Sequence, residues 1–86
     1  MNNVDREINK IIGGKIKTLR IKRSWSLEQL GKHIGKSKKT VQRYETGEHR
    51  ISYSALLRLS TILEFDFSSY LYCQLTKRRE RNGIYN

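Results

Sequence analysis

The chain of 86 residues has no proline and a single cysteine, Cys73. One thiol excludes an internal disulfide framework and any metal site built on several cysteines. Acid is scarce: 8 Asp and Glu stand against 18 Lys and Arg, a formal net charge of +10. No apolar run approaches the ~20 residues a membrane span needs. The opening segment, MNNVDREINK, lacks the apolar core of a signal peptide, so a cytoplasmic chain is expected. No acid–base pair, nucleophile constellation or phosphate-cradling loop is visible, so an enzyme is not expected, nor is a cofactor. No stretch alternates like a strand, and no low-complexity linker divides the chain. His33 and His49 read as plain surface residues.

What is present is base and helical periodicity. The excess of positive charge points to a polyanionic partner, nucleic acid before anionic membrane. The length suits one domain with one modest core. Apolar residues recur at helical spacing from Ile8 to Leu75. Ile8, Ile12, Ile16 and Leu19 form the stripe of a first helix over about residues 5–23. The Gly13-Gly14 pair inside it is expected to cost about 2 kcal/mol relative to two alanines. A second helix starts at the N-cap Ser26, with Gln29 completing a capping box and Trp25 and Leu30 at the staple positions. It ends at Gly35. Ser37 caps a third helix, in which Val41 and Tyr44 face inward, and Gly47 ends it.

Ser52 caps a fourth helix between the staple residues Ile51 and Leu56, with Leu56, Leu59, Ile62 and Leu63 on its apolar face. Asp66 caps a fifth, flanked by Phe65 and Tyr70, running to about residue 76. Cys73 is expected to be a half-buried filler on it. The fold class is therefore all-α, a compact five-helix bundle. Residues 1–76 form the domain and 77–86 a basic, loosely ordered tail.

The segment from Leu27 to Thr46 carries the functional signal. Leu30, Ile34, Val41 and Tyr44 supply an apolar residue per turn on both sides of a tight turn. Gly31 is small where two backbones approach, and Gly35 turns the chain. This is the spacing of a helix-turn-helix. If Val41 and Tyr44 point inward, Lys38, Lys39, Gln42 and Arg43 point outward, with the donors that base edges in a major groove accept. Lys36, Arg50 and the backbone at Leu27 suit phosphates, since a helix N-terminus offers free N–H groups to an anion. Ser37 and Thr46 join this phosphate set.

Ile12-Gly13, Ile16, Leu19-Arg20, Ser26-Leu27-Glu28-Gln29-Leu30, Gly35, Val41 and Tyr44-Glu45-x-Gly47 together resemble the Cro/C1-type (XRE-like) helix-turn-helix repressors, a lambda-repressor-like fold. The resemblance covers about residues 12–71. It implies a DNA-binding domain of bacterial or phage origin that docks as a homodimer on a pseudo-palindromic operator in double-stranded DNA. It implies base contacts from the third helix and a partly buried ion pair between Arg20 and Glu45. Three positions depart from the family pattern. Gly31 stands where alanine is usual and is expected to loosen the second helix. Glu64 stands where glycine is frequent. Arg50-Ile51-Ser52 replaces a start that commonly contains proline.

Phe65, Phe67, Tyr70 and Leu71 exceed what one side of a short helix needs, which makes them the expected dimer patch. The implied function is transcriptional regulation of repressor type. The same domain serves antitoxins and restriction-modification controllers, with a toxin or anti-repressor as protein partner. A non-specific basic nucleic-acid module is the other alternative. No sheet motif for RNA is present. The basic residues do not oppose one exposed apolar face, as a membrane-surface helix requires.

Overall fold

A computed structural model describes residues 3–81, with side chains through residue 77. Five helices follow one another: α1 (Asn3–Lys22), α2 (Leu27–Ile34), α3 (Lys38–Thr46), α4 (Tyr53–Leu63) and α5 (Phe67–Arg81). Each start after α1 is fixed by one short polar side chain. Ser26 Oγ accepts from the Gln29 amide at 3.0 Å, and Gln29 Oε1 accepts from the Ser26 amide at 2.7 Å, a reciprocal capping box. Ser37 Oγ accepts from the Thr40 amide at 3.1 Å and Ser52 Oγ from the Ala55 amide at 3.2 Å. Asp66 does the same for α5, accepting from the Ser69 amide and hydroxyl at 3.2 and 2.8 Å. The Ser69 hydroxyl, with its amide, holds the Asp66 carboxyl below the usual carboxylate range. Its contribution is thus present above the unfolded carboxylate's pKa and lost as pH falls through the lowered one.

Left-handed residues close the first four helices, and two are glycines: Gly35 at φ +70° and Gly47 at φ +84°. The others are Ser24 at φ +60°, just past α1, and Glu64 at φ +50°. A left-handed backbone costs a non-glycine residue about 1–2 kcal/mol. The compensating contact, Arg23 Nη2 to Glu64 Oε2 at 3.5 Å, lies on a Glu64 side chain that is 81% exposed. Such a pair contributes little. Glu64→Gly is therefore expected to stabilise the domain by about 0.5–1 kcal/mol, after allowing for glycine's entropy in the unfolded chain. Thermal unfolding should show a rise of about 2–8 °C.

The core consists of Ile12 and Ile16 from α1, Leu30 and Ile34 from α2, Val41 and Tyr44 from α3, Ala55, Leu59 and Leu63 from α4, and Phe67 from α5. α1 runs unbroken through Gly13 and Gly14. A Cβ on Gly13 would collide with the Tyr44 carbonyl oxygen and lie 2.8 Å from that of Glu45, whereas one on Gly14 would meet nothing. Gly13 thus permits the close approach of α1 to α3, and Gly14 serves no such contact.

Four expectations need correction. Gly31 does not merely loosen α2. It is buried, and a Cβ there would overlap the Lys36 carbonyl oxygen, so glycine is what lets the turn fold back onto the helix. α5 does not stop near residue 76 but reaches Arg81. Lys77 to Arg81 are good helix formers, and no glycine intervenes before Gly83. The rest of the expected tail, residues 82–86, lies outside the described residues. Cys73 is exposed, not half-buried. Phe67, grouped with the dimer patch, is only 1% exposed and belongs to the monomer's own core.

Candidate nucleic-acid interface

α3 is anchored from one side and open on the other. Val41 is fully buried, Tyr44 is 5% exposed and Glu45 9% exposed. Burial pushes the Tyr44 phenol pKa up, which keeps it neutral. With that side held, Lys38, Gln42 and Thr46 form one exposed row at i, i+4 and i+8. Lys39, exposed, and Arg43, partly exposed, form a second row beside it. The sequence places no acid among these outward positions.

The anchor includes a buried ion pair. Arg20 Nε donates to Glu45 Oε2 at 2.7 Å and Arg20 Nη2 to Glu45 Oε1 at 3.1 Å. The third arm, Nη1, donates to the Trp25 carbonyl at 2.8 Å. The side chains are 12% and 4% exposed. One guanidinium therefore joins α1, the α1–α2 turn and α3. Arg fits this place because its planar fork can serve a carboxylate with two bonds and a carbonyl with another.

The remaining candidate residues fall around α3 in different states. Lys36 and Ser37 are exposed in the turn before it, but the Ser37 hydroxyl is already engaged: besides capping α3 it donates to Thr40 Oγ1 at 3.0 Å. The Thr46 hydroxyl bonds the Arg43 carbonyl at 3.2 Å and lies 3.0 Å from Glu48 Oε1. Leu27 is half-buried at the first position of α2, where early amides point along the axis out of the helix. Arg50 is exposed but not idle, since its Nη2 lies 3.0 Å from Asp5 Oδ2.

Sequence reasoning missed two residues here. Arg58 of α4 donates from Nη1 to the Ile34 carbonyl at 3.1 Å, fastening the end of α2 at the turn. Its signal was a lone cation on an otherwise uncharged helix. Asp5 is the other, 45 residues from its partner and invisible to local pattern.

Away from α3, the aromatic surplus is largely spent within the monomer. Phe65 meets Phe67 edge-on at 5.0 Å and Tyr70 at 5.5 Å between ring centroids. Lys15 Nζ stands 4.9 Å from the Phe65 centroid and 5.1 Å from that of Tyr70. Tyr70 and Leu71 remain half-buried, and Tyr72 is 70% exposed. His33 stacks on Trp25 at 4.3 Å, and His49 is exposed. Among the described residues no group of His, Cys, Asp and Glu could hold a metal ion. No described helix is long and apolar enough to cross a membrane.

A family model described as a helix-turn-helix domain matches residues 11–67, and the chain belongs to that family, in its XRE-like form. Among curated sequences it is 36% identical over 55 residues to a candidate HTH-type transcriptional regulatory protein of Pyrococcus abyssi. It is 38% identical over 55 residues to such proteins of Pyrococcus horikoshii and Pyrococcus furiosus. Each match takes in 64% of this chain, but only 17–18% of the relative's length.

Proposed function

We propose that this domain binds double-stranded DNA sequence-specifically and regulates transcription as a repressor, with α3 in the major groove. The observation that carries the reading is the outward surface of α3. Lys38, Lys39, Gln42 and Arg43 project from a helix fastened by Val41, Tyr44 and the Arg20–Glu45 pair. Lys and Arg match guanine O6 and N7, and Gln matches adenine bidentately. Lys36, Arg50 and the first amides of α2 at Leu27 supply phosphate contacts. Ser37 acts mainly as the cap that orients α3, and Thr46 stands at the edge of the phosphate set. The family membership and the net charge of +10 support the reading. A cytoplasmic location goes with it.

Salt-dependent binding to duplex DNA tests it. Each neutralised phosphate contributes about −0.9 to the slope of log K against log salt, so a protein making roughly ten contacts loses several orders of magnitude between low and moderate salt. Lys36→Ala should weaken all duplexes alike and reduce that slope by about one. A flat salt dependence, or equal affinity for RNA and duplex DNA, contradicts the reading.

The working unit in this reading is a homodimer. One α3 reads only a few base pairs, whereas two copies about a two-fold axis read half-sites about 34 Å apart. The contact is placed on α5 around Tyr70 and Leu71, with Phe65 at its edge, because a self-complementary patch can be small. Tyr70→Asp with Leu71→Asp should lower affinity for a two-half-site duplex sharply and leave half-site binding nearly intact, with circular dichroism showing the helices retained. Full-site affinity equal to wild type would move the dimer contact elsewhere.

A further inference from the structure

We propose that Asp5 competes with the DNA backbone for Arg50, so that the first turn of α1 lowers the domain's affinity for duplex DNA from outside the helix-turn-helix. The inference rests on the DNA-binding reading above and adds a residue which that reading does not contain.

The geometry starts from the register of α1 on α3. Gly13 lies against the carbonyls of Tyr44 and Glu45, at the C-terminal end of α3. One turn earlier, Lys10 lies against Gly47, where an added Cβ would stand 2.8 Å from Lys10 Cγ. Another turn and a half earlier, Asp5 meets Arg50 in the loop between α3 and α4, Oδ2 to Nη2 at 3.0 Å. Two backbone contacts thus aim α1 past the end of α3, and the helix delivers a carboxylate to the loop. Residues 3–10 precede the region that the helix-turn-helix model matches, which begins at residue 11. An acid in the first turn suits the positive end of α1's dipole. That effect accounts for an acid there but not for its contact with a side chain 45 residues away.

Chemistry then decides the direction of the effect. Arg50 is 70% exposed, so a phosphate can reach its guanidinium. The Asp5 side chain is 37% exposed, and an ion pair this open is weak enough to be displaced. A phosphate that takes Arg50 must either break the Asp5 contact or sit beside a second negative charge. Both oppose binding, and both fade as salt screens the charges. Asp5 therefore acts as a brake, strongest at low salt. Glu48, the acid nearest Arg50 in sequence, already faces the Thr46 hydroxyl at 3.0 Å.

The test is a double-mutant cycle on the full chain, using a short mixed-sequence duplex as the probe and fluorescence anisotropy as the readout. Asp5→Asn should bind about 1.5- to fivefold more tightly at low salt, the range that follows from losing one exposed pair. Its salt slope should steepen by up to about one. In an Arg50→Gln background the gain from Asp5→Asn should shrink to less than half. Circular dichroism on all variants keeps folding apart from binding. Unchanged or weaker binding by Asp5→Asn overturns the inference. So does an equal gain with and without Arg50, which would mean that Asp5 acts through net charge alone. If wild type binds the duplex and Asp5→Asn fails to tighten it, only this inference falls. If wild type does not bind even at low salt, the DNA reading falls with it.

Discussion

Gly13→Ala is expected to destabilise the domain by about 3 kcal/mol or more, at the upper end of what overpacking costs. The reason is backbone, not side chain. The new methyl would overlap the Tyr44 carbonyl oxygen and press on that of Glu45, and neither can rotate away because both belong to α3. α1 and α3 would have to separate, and their separation would pull apart the Arg20–Glu45 pair a few turns on. Thermal unfolding should show a fall of about 12–24 °C. Gly14→Ala is the matched control. Nothing lies within 4 Å of a Cβ there, so it should stabilise by about 1 kcal/mol through helix propensity alone. Opposite signs at adjacent glycines are the expected result; similar shifts at both would mean that α1 does not approach α3 as described.

Arg20→Ala should cost about 3–5 kcal/mol, the range for stranding one partner of a buried pair. Glu45, whose side chain is 4% exposed, would lose both guanidinium bonds, and the Trp25 carbonyl would lose its donor. Glu45→Ala should cost nearly as much, because the 12% exposed Arg20 would keep only the carbonyl. The double variant should cost far less than the sum, since removing both charges removes the desolvation penalty as well. Melting curves of the three variants decide it. Additive losses would mean that the two side chains are not coupled. The pair matters for function through α3: it holds the helix by its buried edge, so its loss should also weaken DNA binding in proportion to unfolding.

Much of this fold was legible because its signals are local. Ser26, Ser37, Ser52 and Asp66 each combine a short polar acceptor with an apolar run, and each cap closes within three residues. The inward positions of Val41 and Tyr44 set the outward direction of Lys38, Lys39 and Gln42 by helix geometry alone. What stayed hidden depends on contacts far apart in the chain. A glycine's cost shows in the sequence, but what approaches it does not, so Gly13 and Gly14 looked alike. Phe65 and Phe67 flank the same cap, and only packing in the assembled core decides that Phe67 goes inward. Ala55, only 1% exposed, gives no apolar signal for its depth. Within the site, the prior engagement of Arg50 by Asp5 and of Thr46 by Glu48 changes what those side chains can offer a phosphate. Neither contact follows from a motif.

Selection of bound sites from random duplex DNA, run in parallel on wild type, Gln42→Ala and Arg43→Ala, tests the central claim most directly. Wild type should enrich a two-fold symmetric site with half-sites about one helical turn apart. Each variant should lose about 1–3 kcal/mol of discrimination at particular base positions while keeping the rest of the site. No enrichment by wild type, or variants whose preferences match wild type at every position, would contradict the account that α3 reads the DNA.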